Sequence, residues 1–254
     1  MRGNRQNGRV VSTYEKRFTV HAWEIDGAGR VNPRLLNSYL QNAAIHHAIE
    51  LGLGRGKLGE SLTWMLSKMR IEMERWPHWH DEVVVKTWPS DIERIFAIRD
   101  FEMCDAAGVP FGSATSAWLV VDLEQRRPMR LPESVKALRP DGTVRSLQGG
   151  FAAVPEVESP AGSEEYLVRW NDCDFNRHLG AQHYVSWALD LVPDEVLSTS
   201  WLRTLEIEYR AEARPGDRVV SEWEGRGEGE FIHRLRHAED GRDLARLRSV
   251  WSPA

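Results

Sequence analysis

Cysteine and long apolar runs are scarce in this chain, and both absences exclude classes of protein. Its 254 residues include only two cysteines, Cys104 and Cys173, too few for a disulfide framework, which favours a reducing compartment. No apolar run reaches the roughly 18 residues that a membrane-spanning helix needs. The basic, polar start lacks the apolar segment of a secretory signal. We therefore expect a cytoplasmic protein without a membrane span.

A surplus of positive charge is also missing. The formal net charge is −5 and no basic groove is evident, so no nucleic-acid partner is expected. Tryptophan is plentiful, with 11 residues, which favours a sheet core with broad apolar contacts. The length allows one large domain or two smaller ones.

The order of the predicted elements indicates an α+β protein. Asn32 and Pro33 are typical of a helix start, and apolar residues then recur at helical spacing as far as Leu51. Strand-like runs bounded by Pro, Gly, Asp or Asn follow near 62–75, 82–88, 94–103 and 112–122. A helix followed by antiparallel strands is typical of this class.

The same order returns in the second half of the chain. After a segment rich in Gly, Pro and Ser come a short strand, a helix near 180–191 that Pro193 stops, and four more strand-like runs. These runs lie near 203–213, 217–224, 230–237 and 243–251. We predict a first lobe over 1–133, a linker over 134–162 and a second lobe over 163–254.

Matching residues support a duplication. Asp26 aligns with Asp174, and Tyr39 with Trp187, at one offset of 148 residues. Further matches in the same order are Ile71–Glu74 with Ile207–Arg210, Asp81 with Asp217, and Ser116–Trp118 with Ser249–Trp251. The offsets fall along the chain, which indicates shorter loops in the second copy.

The polar run NDCDFNRH, residues 171–178, differs between the two copies. It could be an ordinary surface loop, since loops favour Asn and Asp. Under the alignment, however, Asn176 faces Ala28 and His178 faces Arg30, whereas the aspartate is kept. A turn that the fold alone required would be expected in both copies, so the difference favours a functional site in the second lobe.

The spacing within this run suggests a mechanism. Alternate side chains of an extended segment project to one side, which would bring Asp174, Asn176 and His178 together. A helix is predicted to begin directly after them, and its first N–H groups would stabilise a developing oxyanion. These N–H groups belong to Leu179, Gly180 and Ala181. Carboxylate, amide, imidazole and helix start together indicate acyl-group chemistry.

The run WNDCDFNRHLGAQHYVSW, residues 170–187, resembles the active-site segment of acyl-acyl-carrier-protein thioesterases. Other segments resemble this family in the same order, so the resemblance covers most of the chain. They are LNSYLQNAAIHHAIELGL, LTWMLSKMRIEMERWPHWHDEVVVKTWP, FAIRDFEM, ATSAWLVVDLEQRRPMRLPESV and LEIEYRAEARPGD. The resemblance implies an α+β tandem (double) hotdog fold, in which each half wraps an antiparallel sheet around a long central helix.

The resemblance also implies a reaction and its residues. The family hydrolyses the thioester between a fatty acyl chain and the phosphopantetheine arm of acyl carrier protein, which releases the fatty acid and ends chain elongation. Its catalytic residues fall on Asp174, Asn176, His178 and Glu212. Acyl carrier protein is the implied partner, and neither a cofactor nor a metal is expected.

Departures from the family pattern limit the chemistry. The cysteine that follows the family's glutamate is Ala213 here, so a cysteine nucleophile at that position is excluded. The plant members' H-x-N-N motif has Gly180 and Ala181 in place of its asparagines. Cys173 is interpreted as a small buried residue that turns away from Asp174.

Two roles stay open at the level of sequence. Asp174 acts either as a nucleophile on the thioester carbon or as a base toward water, with Asn176 and His178 orienting it. Strict alternation puts Glu212 on the polar face of its strand. It therefore needs a bulge or strand end to reach the site, where it would activate water, and is otherwise a solvated carboxylate.

Metal sites were weighed and set aside. Asp172, Asp174 and Asn176 fit the first ligands of a calcium loop, but its sixth position is Arg177 instead of Gly and its twelfth is His183 instead of Glu. The run His78–Asp81 has potential ligands but follows a proline at a strand turn, and we interpret it as a solvated turn.

Several questions about binding stay open as well. An acyl-CoA thioesterase and a non-catalytic acyl-binding hotdog protein are the alternative functions, and the oligomeric state is monomer or homodimer. Tryptophans that could limit acyl chain length are Trp64, Trp76 and Trp187. Basic residues that could dock the acidic carrier are Arg126, Arg127 and Arg130, or Arg203, Arg210 and Arg214.

Overall fold

One antiparallel sheet of eleven strands runs through both halves of the chain. The computed structural model describes residues 13–54, 56–138 and 145–254. Its elements are β1 (Tyr14–Thr19), α1 (Pro33–Glu50), β2 (Leu62–Met73), β3 (Glu82–Glu93), β4 (Phe96–Cys104), β5 (Pro110–Asp122), β6 (Arg127–Met129), α2 (Glu133–Lys136), β7 (Gly162–Leu167), α3 (Ala181–Leu189), α4 (Asp194–Thr199), β8 (Ser200–Tyr209), β9 (Arg218–Gly225), β10 (Glu230–His237) and β11 (Asp243–Pro253). Single turns of 3₁₀ helix lie at Ala22–Glu24 and Trp170–Asp172.

The strand order shows the duplication directly. It runs β1-β3-β4-β5-β2-β8-β11-β10-β9-β7, with β6 paired to β5. Read outward from the centre, each half has the same sequence of strands, and the halves join where β2 pairs with β8, from Lys68 opposite Glu208 to Glu72 opposite Thr204. The predicted duplication is therefore present in the sheet.

Strand β1 was missed in the sequence. Its side chains alternate between half-buried and exposed because it lies at the sheet edge, and its charged residues made the segment look like a polar start. The repeat offset of 148 residues pointed to it, since β7 at the opposite edge is its counterpart at that spacing.

The longest helices of the two lobes, α1 in the first and α3 in the second, differ in length. Helix α1 spans 18 residues and begins as predicted, with the Asn32 side chain accepting a hydrogen bond from the Arg34 N–H and Pro33 in the first turn. Helix α3 has only nine residues, so the expectation of a long central helix in each half is wrong for the second lobe. Pro193 disfavours helical backbone just before it, and the short α4 follows.

The core is continuous across the two lobes. One cluster of buried side chains contains Leu36 and Leu40 of α1, Val185 of α3, and Met69 and Leu205 of the two central strands. Burying one such side chain contributes about 1.5–3 kcal/mol. Because α1 and α3 also contact each other, the orientation of the lobes is fixed by packing as well as by strand pairing.

The predicted linker is attached to both lobes. The Arg145 side chain and the Ser146 N–H donate to the fully buried Asp100 carboxylate, at 2.9 and 2.8 Å. Farther along, the N–H groups of Glu158 and Ser159 donate to one carboxylate oxygen of Glu224. The segment therefore straps the lobes together, while the predicted boundaries at 133 and 163 stay predictions.

Neither a membrane-spanning helix nor a group of metal ligands is found among the described residues. No helix in these ranges is long and apolar enough to cross a membrane. No three His, Cys, Asp or Glu side chains in them group as metal ligands would. In the run His78–Asp81, the Asp81 carboxylate accepts a hydrogen bond from the His78 N–H at 2.9 Å, so the run is a turn, as interpreted from the sequence.

Candidate active site

The predicted catalytic run folds into a tight turn. The Asp174 N–H donates to the His178 carbonyl at 2.8 Å, the Arg177 N–H donates to the Asp174 carbonyl at 2.9 Å, and Arg177 has a left-handed φ of 61°. A β-bridge between Cys173 and Leu179 closes the turn. The prediction of an extended segment is therefore wrong, because the aspartate side chain binds its own backbone and bends the chain.

The turn nevertheless brings the predicted residues together. One Asp174 oxygen, Oδ1, accepts from the backbone N–H groups of Asn176 and His178, at 2.8 and 3.2 Å. The other, Oδ2, accepts a hydrogen bond from the Asn176 side-chain amide at 3.4 Å. The Asp174 residue is exposed, so a ligand can approach it.

The first lobe repeats this turn without its chemistry. Asp26 Oδ1 accepts from the N–H groups of Ala28 and Arg30, at 2.9 and 3.0 Å, and Gly29 has the positive φ, at 77°. The Arg30 guanidinium donates to the carbonyl groups of Leu197 and Ser200, so it ties the lobes together. The aspartate thus shapes the turn in both lobes, and only the second lobe adds the amide and the imidazole.

Glu212 reaches this turn. Strand β8 ends at Tyr209, and the N–H groups of Arg210 and Ala211 both donate to the Leu244 carbonyl, which is a bulge. Beyond it, Glu212 Oε2 lies 3.1 Å from His178 Nε2. The bulge that the alternation argument required is present.

Two arginines hold the other oxygen of Glu212. Arg214 Nη2 donates to Oε1 at 2.8 Å, and Arg126, from the β5–β6 turn of the first lobe, donates to the same oxygen. The site is therefore assembled at the junction of the lobes. The sequence suggested Arg126 only as a docking residue, since nothing in a separation of 86 residues signals this contact.

The predicted oxyanion donors are partly wrong. The Leu179 N–H donates to the Ala213 carbonyl and the Gly180 N–H to the Asp172 carbonyl, at 2.8 and 2.9 Å, so neither is available to a substrate. Both bonds are needed to close the turn onto the rest of the lobe. The Ala181 N–H, at the first position of α3, makes no hydrogen bond to any described group. It is the one predicted donor of the three that stays available.

A buried polar chain that the sequence analysis missed supports the start of α3. The Asn37 side-chain amide donates to the Tyr209 hydroxyl at 3.2 Å, and this hydroxyl donates to the Ala181 carbonyl at 3.3 Å. Burial raises the pKa of Tyr209, so the hydroxyl keeps its proton. The sequence feature that could have revealed this chain is the polar residue Asn37 among the apolar residues of the α1 face.

Cys173 is less buried than predicted. Its thiol is partly exposed and donates to the Arg169 carbonyl at 3.4 Å. Burial raises the pKa of the thiol, and the Asp172 and Asp174 carboxylates raise it further. The thiolate is therefore disfavoured, and a nucleophilic role for this cysteine with it.

An apolar cleft opens in the first lobe. Helix α1 and the strands facing it line this cleft, chiefly through Ala44, Ile45, Ala48, Leu51, Trp64 and Trp118. Of the tryptophans proposed to limit chain length, only Trp64 lines it. Trp76 lines a second cavity beside the first-lobe turn, and Trp187 stacks on Tyr166 in the core.

A cation also lines the apolar cleft. Arg99 is nine-tenths buried, and its Nη1 donates to His47 Nδ1 at 2.9 Å and to the Thr87 hydroxyl at 3.2 Å. Burial, followed by the charge of Arg99, lowers the pKa of His47 to about 4. His47 is thus neutral and able to accept this bond at pH 7.

Comparison with known proteins identifies the family. The profile described as "Acyl-ACP thioesterase N-terminal domain" matches residues 11–138, and that described as "Acyl-ACP thioesterase C-terminal domain" matches residues 157–253. The chain belongs to the acyl-ACP thioesterase family. The resemblance noted in the sequence is thereby confirmed.

Relatives of known structure share the fold of this thioesterase family member. An acyl-ACP thioesterase of Bacteroides thetaiotaomicron is 26% identical, with a TM-score of 0.83 over 94% of this chain and 98% of that one. The 12:0-ACP thioesterase of Umbellularia californica is 22% identical, with a TM-score of 0.84 over 95% of this chain and 98% of that one. The predicted α+β double hotdog is confirmed.

Curated relatives of this thioesterase family member are longer. A chloroplastic acyl-[acyl-carrier-protein] hydrolase of Cuphea viscosissima is 30% identical over 255 residues, which cover 93% of this chain and 61% of the plant protein. A second hydrolase from the same plant is 27% identical, and the match covers 65% of its length. The chain thus spans less than two thirds of the length of these relatives.

Proposed function

We propose that the protein hydrolyses fatty acyl thioesters of acyl carrier protein, releasing the free fatty acid and the carrier and so ending chain elongation. The contact of 3.1 Å between His178 and Glu212, beside Asp174 and Asn176 in a chain of this family, carries the proposal. This arrangement joins a nucleophile to a group able to move protons, which thioester hydrolysis requires.

Asp174 Oδ2 is the proposed nucleophile, because Oδ1 already accepts two backbone N–H groups. It attacks the thioester carbon, the carbon–sulfur bond breaks, and the thiolate leaves with a proton from the His178–Glu212 pair. Water, deprotonated by the same pair, then hydrolyses the acyl-aspartyl anhydride and restores the carboxylate. Asn176 and the Ala181 N–H bind the carbonyl oxygen as charge develops on it.

The apolar cleft is the proposed acyl site. Trp64 of β2 pairs with Val120 of β5, and the turn that follows β5 carries Arg126 to Glu212. Trp64, whose indole is fixed by a hydrogen bond of 2.9 Å to the Leu53 carbonyl, therefore stands where the cleft approaches the site. Apolar walls with few polar groups suit a fatty acyl chain.

The setting of the enzyme is proposed with the reaction. The two free cysteines suit a reducing compartment, and we keep the cytoplasm as the proposed location. The hotdog lobes pair within one chain through β2 and β8, so a monomer satisfies that pairing, and a homodimer would need a further surface. The proposed reaction uses no cofactor and no metal.

Thiol release from a panel of substrates tests the proposed function. The panel pairs acyl carrier protein with coenzyme A as the leaving group and covers acyl chains from about C8 to C18. We expect release from the carrier substrates at a higher kcat/KM than from the matched coenzyme A thioesters. Faster turnover of the coenzyme A series would make the protein an acyl-CoA thioesterase. Acyl binding without any thiol release would make it a lipid-binding protein.

Arg126 offers a prediction with a matched control. Arg126→Ala is expected to lower kcat about tenfold with little change in KM, because Glu212 loses the guanidinium from the first lobe that orients it toward His178. Arg127→Ala removes a positive charge from the neighbouring residue, which does not contact Glu212. Its kcat is expected to stay within about twofold of wild type. Steady-state kinetics on one substrate compares them. Equal losses in both variants would mean that general surface charge, not the contact, matters.

A further inference from the structure

Two large aromatic side chains of the catalytic loop are mostly exposed. Trp170 is 69% exposed and Phe175 is 70% exposed. Apolar side chains of this size, held outward by a rigid turn and grouped with polar neighbours, mark surfaces that contact a partner. Aromatic residues are also enriched at the centres of protein interfaces.

Arginines accompany these aromatics. The Arg177 guanidinium lies 5.9 Å from the centre of the Trp170 ring, which makes the two side chains one surface. Arg169 is exposed at the beginning of the same loop. We call Arg169, Trp170, Phe175 and Arg177 the rim of the turn.

The arginines of the rim differ from most arginines of the second lobe, which form ion pairs. Nine of the twelve arginines in residues 163–254 form ion pairs with carboxylates. Arg169 and Arg177 form none with any described residue, and the third without one is Arg203. The rim thus presents two unpaired cations in a chain whose net charge is −5, which suits an acidic partner.

The fold does not need the rim. At the matching positions of the first lobe stand Ala22, Gly27 and Gly29, where the second lobe has Trp170, Phe175 and Arg177. The first-lobe turn has the same hydrogen bonds from its aspartate, so small residues are sufficient to build it. The aromatic and cationic side chains therefore serve something other than the turn.

We propose that the rim is the docking surface for acyl carrier protein, an inference that rests on the proposed function. The carrier is joined to its substrate by the phosphopantetheine arm, so its protein part has to settle beside the mouth of the site, where the rim lies. Its acidic surface meets Arg169 and Arg177, and Trp170 and Phe175 supply the apolar contact. When the carrier is bound to the rim, its phosphopantetheine arm can bring the thioester directly to Asp174.

The test replaces two rim residues with the residues found at the matching positions of the first lobe. The double variant Trp170→Ala, Arg177→Gly installs the residues of Ala22 and Gly29, which the same turn accepts, and Gly suits the positive φ at position 177. The dissociation constant of fluorescently labelled holo-acyl carrier protein is measured by anisotropy at low salt. We expect it to rise about tenfold or more, while kcat/KM on an acyl-N-acetylcysteamine thioester, which has no carrier, changes less than about twofold.

Trp23→Ala is the matched control. Trp23 is 76% exposed, stacks on His21 and lies in the corresponding 3₁₀ turn of the first lobe, away from the catalytic residues. Its removal is expected to leave carrier affinity unchanged. An unchanged affinity in the double variant, an equal loss in Trp23→Ala, or an equal loss on the carrier-free substrate would overturn the proposal.

Measurements of carrier binding and of thiol release separate the docking proposal from the proposed hydrolase activity. Thiol release without measurable carrier binding would reject the docking surface and keep the hydrolase. Carrier binding that the double variant weakens, without thiol release from any thioester, would reject the hydrolase and keep the docking surface.

Discussion

Asp174→Asn is expected to lower kcat on the order of 10³-fold or more, while the protein keeps its fold. The asparagine side-chain oxygen can still accept the N–H groups of Asn176 and His178, so the turn is retained. The amide is a far weaker nucleophile and base than the carboxylate, so the reaction is lost. Thiol release and thermal unfolding measured on the same preparation check both parts, and Tm is expected to change by less than about 3 °C.

Asp26→Asn is the control that the duplication provides. Asp26 makes the same two hydrogen bonds to the backbone of the first-lobe turn, so the substitution removes a charge from an equivalent structural position. Its kcat is expected to stay within about twofold of wild type. Equal losses at positions 26 and 174 would assign the effect to the turn and contradict a catalytic carboxylate. Asp174→Ala is a poorer test, because it also removes the acceptor that shapes the turn.

Isotope labelling of the wild-type protein separates two routes for the carboxylate. If Asp174 attacks the thioester and water then adds to the Asp174 carboxyl carbon of the anhydride, a single turnover in water enriched in ¹⁸O places the label in the carboxylate of the enzyme. If Asp174 acts as a base, the label enters the fatty acid and never the enzyme. Mass spectrometry of the protein after one turnover detects this label, and its presence in Asp174 would establish attack by the carboxylate.

The fold was largely predictable because it repeats. Hydrophobic periodicity located α1 and most strands, and the offset between Asp26 and Asp174 revealed the duplication. What periodicity did not reveal was β1, whose half-exposed edge position carries little apolar signal. The sequence pattern did locate α3 near 180–191, and the long central helix that is wrong for this lobe was implied only by the family resemblance.

The composition of the site was predictable, but its geometry was not. Residue types and order pointed to Asp174 and His178, yet the argument from extended backbone was wrong and the residues meet through a turn. The amide groups of Leu179 and Gly180 are used by the carbonyl groups of Ala213 and Asp172, contacts that local spacing does not encode. Tertiary hydrogen bonds decide which donors remain for a substrate.

The two copies of the turn have the same architecture but different side chains. The first-lobe turn has Asp26, but Arg30 stands where the second lobe has His178 and binds the carbonyl groups of Leu197 and Ser200. The position of the proposed proton-transfer group is thus occupied in the first lobe by a residue that ties the lobes together. In the other direction, Arg126 of the first lobe contacts Glu212, and the first lobe also contains the cleft that we propose as the acyl site. Neither lobe alone contains the complete site.

His178→Ala and Glu212→Gln are expected to show that the two residues act as a unit. His178→Ala should lower kcat on the order of 10² to 10³-fold, because the proton donor to the leaving thiolate is lost. Glu212→Gln keeps a hydrogen-bonding side chain at the 3.1 Å contact but removes its charge, and should lower kcat on the order of 10 to 100-fold.

The double variant tests the coupling. Because Glu212 acts through its contact with His178, adding Glu212→Gln to His178→Ala should lower kcat by no more than about twofold further, far short of the product of the single effects. Glu206→Gln is the matched control, since Glu206 is on the polar face of β8 and pairs with Arg248 at 3.2 Å, away from the turn. Its kcat should match wild type within about twofold. Single effects that multiply in the double variant would mean that Glu212 serves the reaction independently of His178, and the proton-transfer pair would have to be abandoned.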